Sequence, residues 1–358
     1  MAWAVNWQVL VGGTDVTGNM TPFLMSIDVS DKDGTASDSC RLTFDDVNGQ
    51  ALLPAKGVSV KVLAGGQQIF EGTVDSTPWS LSRGGGRLLT VAAKGFDTRG
   101  KAKEGQLWHL DDSTLAQALE KGAQKAGMSV VVDPALGAFQ RSYWTPDGAS
   151  FLAWGQKLAK EMGATFKLRG NQAVFAKRGQ GASAVGSAMP TVTGTVGRNV
   201  LSVDIDPSKG RPSAKRKRVR FFDRASASFK EKVVDVEGAD DATQAFATQR
   251  GLASDEDHAA AMADGQKSYT DREAGAGRVE LDFDPTAQAE GTFVLTGARP
   301  GIDGTYRITG VTHRLDRNGG ATTSLDLAQP QGAAGKDTRT PTEGSAVTSV
   351  PIPTPAPR

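Results

Sequence analysis

The most densely charged stretch of this chain reads KGRPSAKRKRVRFF and covers residues 209–222. Its clustered basic residues are Lys215, Arg216, Lys217, Arg218 and Arg220. Guanidinium and ammonium groups grouped in this way can bind phosphate oxygens or the carboxylates of an acidic protein. Because they alternate with Val219 and Phe221, they are also typical of a strand entrance with Arg218 and Arg220 on a solvated outer face. Both interpretations stay open from the sequence.

Residue types that serve catalysis and metal binding are present, but not at the spacings that those sites need. His109, His258 and His313 lie far apart, and no H-x-x-x-H pair occurs. Cys40 is the only cysteine, so neither an intrachain disulfide nor a cysteine-rich zinc site can form, and its alternation with apolar neighbours predicts a buried strand thiol. There is no G-x-S-x-G elbow. We therefore expect neither a catalytic residue nor a bound metal or cofactor, and we expect that the protein is not an enzyme.

Two acidic clusters, at 240–241 and 255–257, raise the question of a glycosidase, which needs two carboxylates facing each other across a sugar. Both clusters lie near predicted helix starts, where acidic side chains interact favourably with the helix dipole. Capping and solvation are the better account. His313 shares a strand face with Val311 and Leu315, which predicts a structural histidine.

Length and charge limit the remaining possibilities. At 358 residues the chain should hold two or three domains, and 41 basic against 40 acidic residues give no global electrostatic case for nucleic acid or membrane. No apolar run approaches the roughly 20 residues of a membrane span. The N-terminus lacks a basic region followed by an apolar one, so we expect no signal peptide and a cytosolic place of synthesis.

Hydrophobic periodicity divides the chain into four segments. Residues 1–97 alternate with period two between glycine-rich turns, which predicts a barrel-like antiparallel β module. Residues 98–180 predict a small α/β module with one helix after Thr114 and a second from about Ser150. Residues 186–330 predict a second barrel-like β module with an inserted helix from about 239 to 271, broken near 251–255. Residues 331–358 predict a disordered tail rich in Pro, Thr and Ser.

The second β module ends in a hairpin whose first strand runs from about 305 to 315. Its apolar parity shifts at Gly310, which predicts a β-bulge, and Asn318 and Gly319 predict the turn. The fold class expected is thus β-rich α+β, with two barrel-like antiparallel β modules separated by the α/β module.

Four motifs in order carry a family resemblance. They are SDSCRLTFDD at 37–46, LDDSTL at 110–115, SFLAWGQKLAKEMGATF at 150–166 and GIDGTYRITGVTHRLDRNGGATTSLDL at 301–327. On these the chain resembles the phage late control protein D family, the baseplate hub proteins of contractile phage tails, which are related to the hub part of type VI secretion spike proteins.

The resemblance implies a homotrimer in which two β modules per chain alternate around a ring. Such a ring adapts a sixfold tail tube to a threefold central spike, encloses a channel through which DNA passes transiently, and resides in the tail baseplate of the virion. The central spike protein, the tail tube protein, other baseplate proteins and a tape-measure protein are the partners it implies. No membrane-spanning segment is expected.

Three alternatives stay open. One is a tail-tip cell-wall hydrolase. Another is a β-rich receptor- or glycan-binding protein with exposed aromatic platforms, for which Trp79 and Trp144 are the candidates. The third is the hub of a tailocin or another contractile injection system.

Overall fold

A computed structural model describes residues 3–34, 36–179, 188–206, 215–223, 225–236, 246–273, 275–336 and 339. Strands dominate these residues and a few helices accompany them, which confirms the β-rich α+β prediction. The buried apolar side chains form four clusters, and each belongs mainly to one stretch of the chain.

The N-terminal stretch folds as the period-two alternation predicts. Its elements are β1 Trp7–Val11, β2 Thr14–Asp15, α1 Thr17–Met20, β3 Leu24–Lys32, β4 Ser39–Asp45, β5 Ser59–Ala64, β6 Gln67–Ser76, β7 Trp79–Ser82 and β8 Gly86–Lys94. Inward residues of six strands, among them Val9, Leu42 and Val62, form one core. Cys40 is in this core, and burial raises the pKa of its thiol well above the usual range.

The α/β stretch contains a 3₁₀ helix at Lys101–Lys103 followed by β9 Leu110–Thr114, α2 Leu115–Lys125, β10 Ser129–Val132, α3 Pro134–Gly137, β11 Gln140–Trp144, α4 Phe151–Glu161, β12 Ala164–Arg169 and β13 Gln172–Lys177. Thr114 and Gln117 cap α2 reciprocally, and the Ser150 hydroxyl accepts the Ala153 N–H at the start of α4. Both helices lay their apolar faces on one core, which also contains Trp154 and Met162.

The remaining described elements are β14 Thr191–Thr195, β15 Val200–Asp206, β16 Arg216–Asp223, β17 Ser228–Asp235, β18 Phe246–Ala253, α5 Glu256–Glu273, β19 Ala276–Asp282, β20 Thr292–Thr296, β21 Gly304–Asp316 and β22 Gly320–Gln331. Strands β17, β16 and β18 form a separate three-stranded sheet, and α5 packs on one face of it. We call these four elements the α5 lobe.

Fourteen of the described strands join into one large, mainly antiparallel sheet instead of closing into two barrels. The junction is β21, whose first half pairs with β20 and whose second half pairs with β3 of the N-terminal stretch. The predicted bulge is confirmed, because the β21–β22 register shifts between Ile308 and Gly310. The bulge therefore lies where β21 exchanges one neighbour for the other.

Two predictions about local structure are wrong. The helix expected from about 239 begins only at Glu256, because residues 246–253 form β18 and pair in parallel with β16; residues 237–245 lie outside the described ones. Residues 331–336 were expected in the disordered tail, but Gln331 ends β22 and Ala334 is buried in the core of the second β region. Most of the predicted tail, 337–338 and 340–358, also lies outside the described residues.

Candidate functional site

The basic block is divided between two faces of β16. Val219 and Phe221 are buried against α5, so the alternate residues Arg216, Arg218 and Arg220 lie on the opposite face of the sheet. Lys217 has the parity of Val219 and lies on the helix side. Lys215 precedes the strand and is exposed. The structure thus brings together three of the five predicted residues.

Residues from all three strands surround these arginines. By their register, those on the same face are Arg216, Arg218, Arg220 and Phe222 of β16, Phe229, Glu231, Val233 and Asp235 of β17, and Phe246 and Leu252 of β18. We call this set the arginine face. No helix or strand among the described elements covers it, whereas α5 covers the other side of the same sheet.

Arginine–aromatic stacking organises the face. The guanidinium carbons of Arg216 and Arg218 lie 5.7 and 4.9 Å from the ring centre of Phe246. The guanidinium of Arg220 lies 5.5 Å from the ring centre of Phe229, which in turn meets Phe222 edge-on at 5.2 Å. Such contacts hold the long side chains along the sheet instead of leaving them extended into water.

Two of the three arginines have carboxylate partners on the face. Arg216 Nε lies 2.7 Å from Asp235 Oδ1, and Arg218 Nη1 lies 3.3 Å from Glu231 Oε2. Arg220 has no carboxylate within 4 Å among the residues that the structure describes. The face is therefore mixed in charge, with one uncompensated guanidinium beside apolar side chains.

The α5 lobe is fixed to the α/β stretch by close contact between glycines and by a cluster of polar side chains. A Cβ built on Gly265 of α5 would lie 2.7 Å from the backbone nitrogen of Gly163, which follows α4. Beside this contact His258 of α5 meets Arg141 of β11, with Glu161 of α4 3.5 Å from the guanidinium. Burial, reinforced by the charge of Arg141, lowers the pKa of His258 to about 4.

The other residues with chemical potential have structural environments. His313 is buried, its Nδ1 lies 3.1 Å from Thr323 Oγ1, and burial lowers its pKa to about 4. Asp255 caps α5 by accepting the N–H of His258 at 2.8 Å; the acidic pair at 240–241 is outside the described residues. Throughout the described part of the chain, no three His, Cys, Asp or Glu side chains are grouped to hold a metal ion.

Of the two tryptophans considered as binding platforms, Trp144 does not qualify. Its ring is buried and its Nε1 donates to Ser113 O at 2.8 Å. Trp79 is half exposed, but its Nε1 donates to Asp46 Oδ2 at 3.0 Å, which fixes the ring beside the turn that follows β4.

Sequence reasoning missed the apolar half of the arginine face. Phe229 and Val233 carry a period-two signal within the SFKEKVVD stretch, which could have placed them on one face. Phe246 and Leu252 could not be found in this way, because Phe246 was assigned to the helix and Leu252 to the break expected near 251–255.

Comparison with known proteins relates the chain to phage tail components. No family model matches it. It is 28% identical over 196 residues to a probable baseplate hub protein of Escherichia phage P2, a match that covers 52% of this chain and 49% of that protein. The chain spans about half the length of the curated relatives it matches. The resemblance to baseplate hub proteins seen in the sequence is confirmed.

Solved structures share the fold along almost the whole chain. A 43 kDa tail protein of prophage MuSo2 from Shewanella oneidensis superposes with a TM-score of 0.67 at 15% identity, covering 91% of this chain and 98% of its own. A type VI secretion component from E. coli gives 0.55 at 13% identity over 92% and 79%. Among the described helices, none is long and apolar enough to cross a membrane.

Proposed function

We propose that this chain is the structural baseplate hub protein of a contractile phage tail or of a phage-like particle. The observation that carries the proposal is the similarity to the phage P2 hub protein, supported by a shared fold with tail proteins over about nine tenths of the chain. The named relatives are probable baseplate hub proteins, and in this proposal the chain performs no bond chemistry. Its role is to position neighbours and to enclose a channel.

In this proposal three copies form a ring that joins a sixfold tail tube to a threefold central spike. Each chain supplies two β regions, one at 1–97 and one at 186–330, so a trimer presents six. The α/β region at 98–180 lies outside the repeated wall. DNA passes transiently through the channel, and the finished ring resides in the virion baseplate after synthesis and assembly in the host cytoplasm.

The large sheet supports ring closure through its two ends. Along its main path, one end is β15, whose neighbouring strand among the described elements is β19, and the other is β1 with the two-residue β2. Strands β14 and β7 branch off this path, and Val200 of β15 forms a single bridge to Val196. An uncovered edge strand is a template for pairing with another chain. Head-to-tail pairing of one end with the other end of the next copy is a heterologous contact, and such contacts close into rings when the rotation permits.

The proposed partners are the central spike protein, the tail tube protein, other baseplate proteins and the tape-measure protein. Each would contact a different surface of the ring. A polar and apolar interface of ordinary size, about 1,600 Å² in total, is sufficient for each stable contact.

The test combines mass, shape and activity. Light scattering should give the mass of three copies for the purified chain, and the mass of three copies plus the spike for the co-expressed preparation. Negative-stain images should show threefold rings with a central opening. A stable monomer in both preparations that clears a peptidoglycan suspension would overturn the proposal and favour a cell-wall hydrolase. Rings from particles that lack heads would assign the hub to a tailocin or another injection system.

A further inference from the structure

We propose that the arginine face binds a protein segment that presents apolar side chains flanked by carboxylates. The inference rests on the geometry of the α5 lobe and holds whether or not the chain is a hub. It gives the basic block a protein partner and not a nucleic acid.

Exposed apolar side chains form the first part of the argument. On the arginine face Phe229 is 59% exposed, Leu252 55% and Phe246 47%. A sheet normally buries its apolar face against another layer, and here α5 already occupies one side. Grouped aromatic and aliphatic side chains left on the second side, with charged residues among them, are typical of an interaction site and not of scattered surface residues.

The combination of residue types narrows the class of partner. Arginine and aromatic residues are enriched at the energetic centres of protein interfaces. Here each arginine is stacked on an aromatic ring, so its side chain loses little freedom when a partner binds.

Charge specifies the chemistry of the partner further. Arg216 and Arg218 have their carboxylates, but Arg220 has none within 4 Å among the described residues, and Lys215 adds a second exposed cation at the start of the strand. A partner carboxylate near Arg220 would complete the pattern in a partly desolvated site, where electrostatic complementarity selects the partner.

Nucleic acid fits the same face poorly. Its affinity comes from uncompensated cations that neutralise phosphates, whereas Glu231 and Asp235 already neutralise two of the three arginines here and would repel a phosphate backbone. Val233 and Leu252 gain nothing from phosphate contact. A second copy docked face to face fits poorly too, because it brings the same paired carboxylates and leaves both Arg220 side chains unmatched.

The test uses a synthetic nine-residue peptide that alternates valine and phenylalanine with glutamate. Controls are the same peptide with lysine for glutamate and a single-stranded oligonucleotide, and binding to the full chain is followed by fluorescence anisotropy. The glutamate peptide should bind, and Arg220→Glu and Phe229→Ser should each weaken it about tenfold or more, the loss typical of one close charge pair or one central aromatic contact.

Matched variants elsewhere are Arg83→Glu and Leu81→Ser, both at exposed positions around the β7–β8 hairpin, and they should leave binding unchanged. Circular dichroism checks that every variant is folded. Absence of binding at millimolar peptide, equal binding of the lysine peptide, or oligonucleotide binding that Arg220→Glu abolishes would each overturn the proposal. So would self-association that Phe229→Ser abolishes. These outcomes are distinguishable from failure of the hub assignment, because the ring trimer should persist in Phe229→Ser.

Discussion

The carboxylate of Asp31 on β3 accepts a hydrogen bond from the backbone N–H of Ala289 at 3.1 Å. The same carboxylate forms an ion pair with the ammonium group of Lys167 on β12. One side chain of the N-terminal stretch thereby contacts both later stretches of the chain. Burial opposes the ionisation of Asp31, but the charges of Lys167 and Arg169 outweigh it and lower the pKa of this carboxyl below its usual value. Asp31 is thus held as a carboxylate where the three stretches meet.

Replacing Asp31 should loosen this junction. Asp31→Asn keeps the shape but removes one of the two carboxylates paired with Lys167. Asp38 stays beside the ammonium group, so the loss is that of one charged contact and costs about 2 kcal/mol of unfolding free energy. The matched control is Glu71→Gln, whose exposed partner Lys61 lies 3.6 Å away and whose loss should cost less than about 1 kcal/mol. Urea unfolding of the parent chain and of the two variants at neutral pH measures both losses of unfolding free energy. Equal losses in Asp31→Asn and Glu71→Gln would contradict the role of Asp31.

His313 should make the folded state sensitive to mild acid. Unfolded histidine takes up a proton near pH 6.5, whereas burial lowers the pKa of His313 in the folded chain to about 4. Its stabilising contribution is therefore fully present above about pH 6.5 and is lost as the pH falls towards 4. At pH 5 the loss is about 2 kcal/mol relative to pH 7.

The measurement is the difference in unfolding free energy between pH 7 and pH 5. His313→Gln should reduce this difference by about 2 kcal/mol, whatever its effect on absolute stability. His109→Gln alters an exposed ring stacked on Tyr143 and should leave the difference as in the parent chain. An unchanged pH dependence in His313→Gln would show that folding does not shift the pKa of His313.

Local signals in the sequence predicted those elements whose boundaries are set by neighbouring residues. Thr114 and Ser150 were recognised as helix starts because an N-cap acts within three residues. The bulge at Gly310 was found from a shift of parity within one strand. In each case the controlling contact is close in sequence.

Long-range pairing could not be predicted in the same way. β18 was mistaken for helix because its segment leads into the alanine-rich start of α5, and only its parallel pairing with β16 makes it a strand. The pairing of β21 with β3 joins segments from opposite ends of the chain. The hydrophobic alternation within either strand does not indicate which strand it pairs with. The arginine face depends on both kinds of contact, so only its central strand was foreseen.

The contact between Gly265 and Gly163 gives a prediction of unusual sign. In an ordinary helix, Gly→Ala is stabilising by about 1 kcal/mol. Here the new methyl group would lie 2.7 Å from the nitrogen of Gly163 and 2.8 Å from the carbonyl oxygen of Glu161, so α5 would have to move away from α4. Gly265→Ala should therefore destabilise the chain by about 1–3 kcal/mol.

The readout should also locate the change. Hydrogen exchange should accelerate within α5 and β16 of Gly265→Ala while the core of the N-terminal strands keeps its protection. Gly18→Ala in α1, where a Cβ meets nothing within 4 Å, is the matched helical control and should be neutral or slightly stabilising. A stabilised Gly265→Ala would mean that α5 does not pack this closely on α4.

The proposed trimer makes a prediction about the outermost strand of the large sheet. Leu201 on β15 is 55% exposed beside an uncovered edge, and a lysine there would have to be buried or displaced when a neighbouring strand adds to that edge. Leu201→Lys should weaken the trimer at least about tenfold, which corresponds to 1.4 kcal/mol, while leaving the monomer folded. Leu52→Lys, at a 93% exposed loop position, controls for the added charge. Light scattering across a dilution series measures how stable the trimer is in Leu201→Lys and in Leu52→Lys. A trimer equally stable in both variants would place the ring contact away from β15.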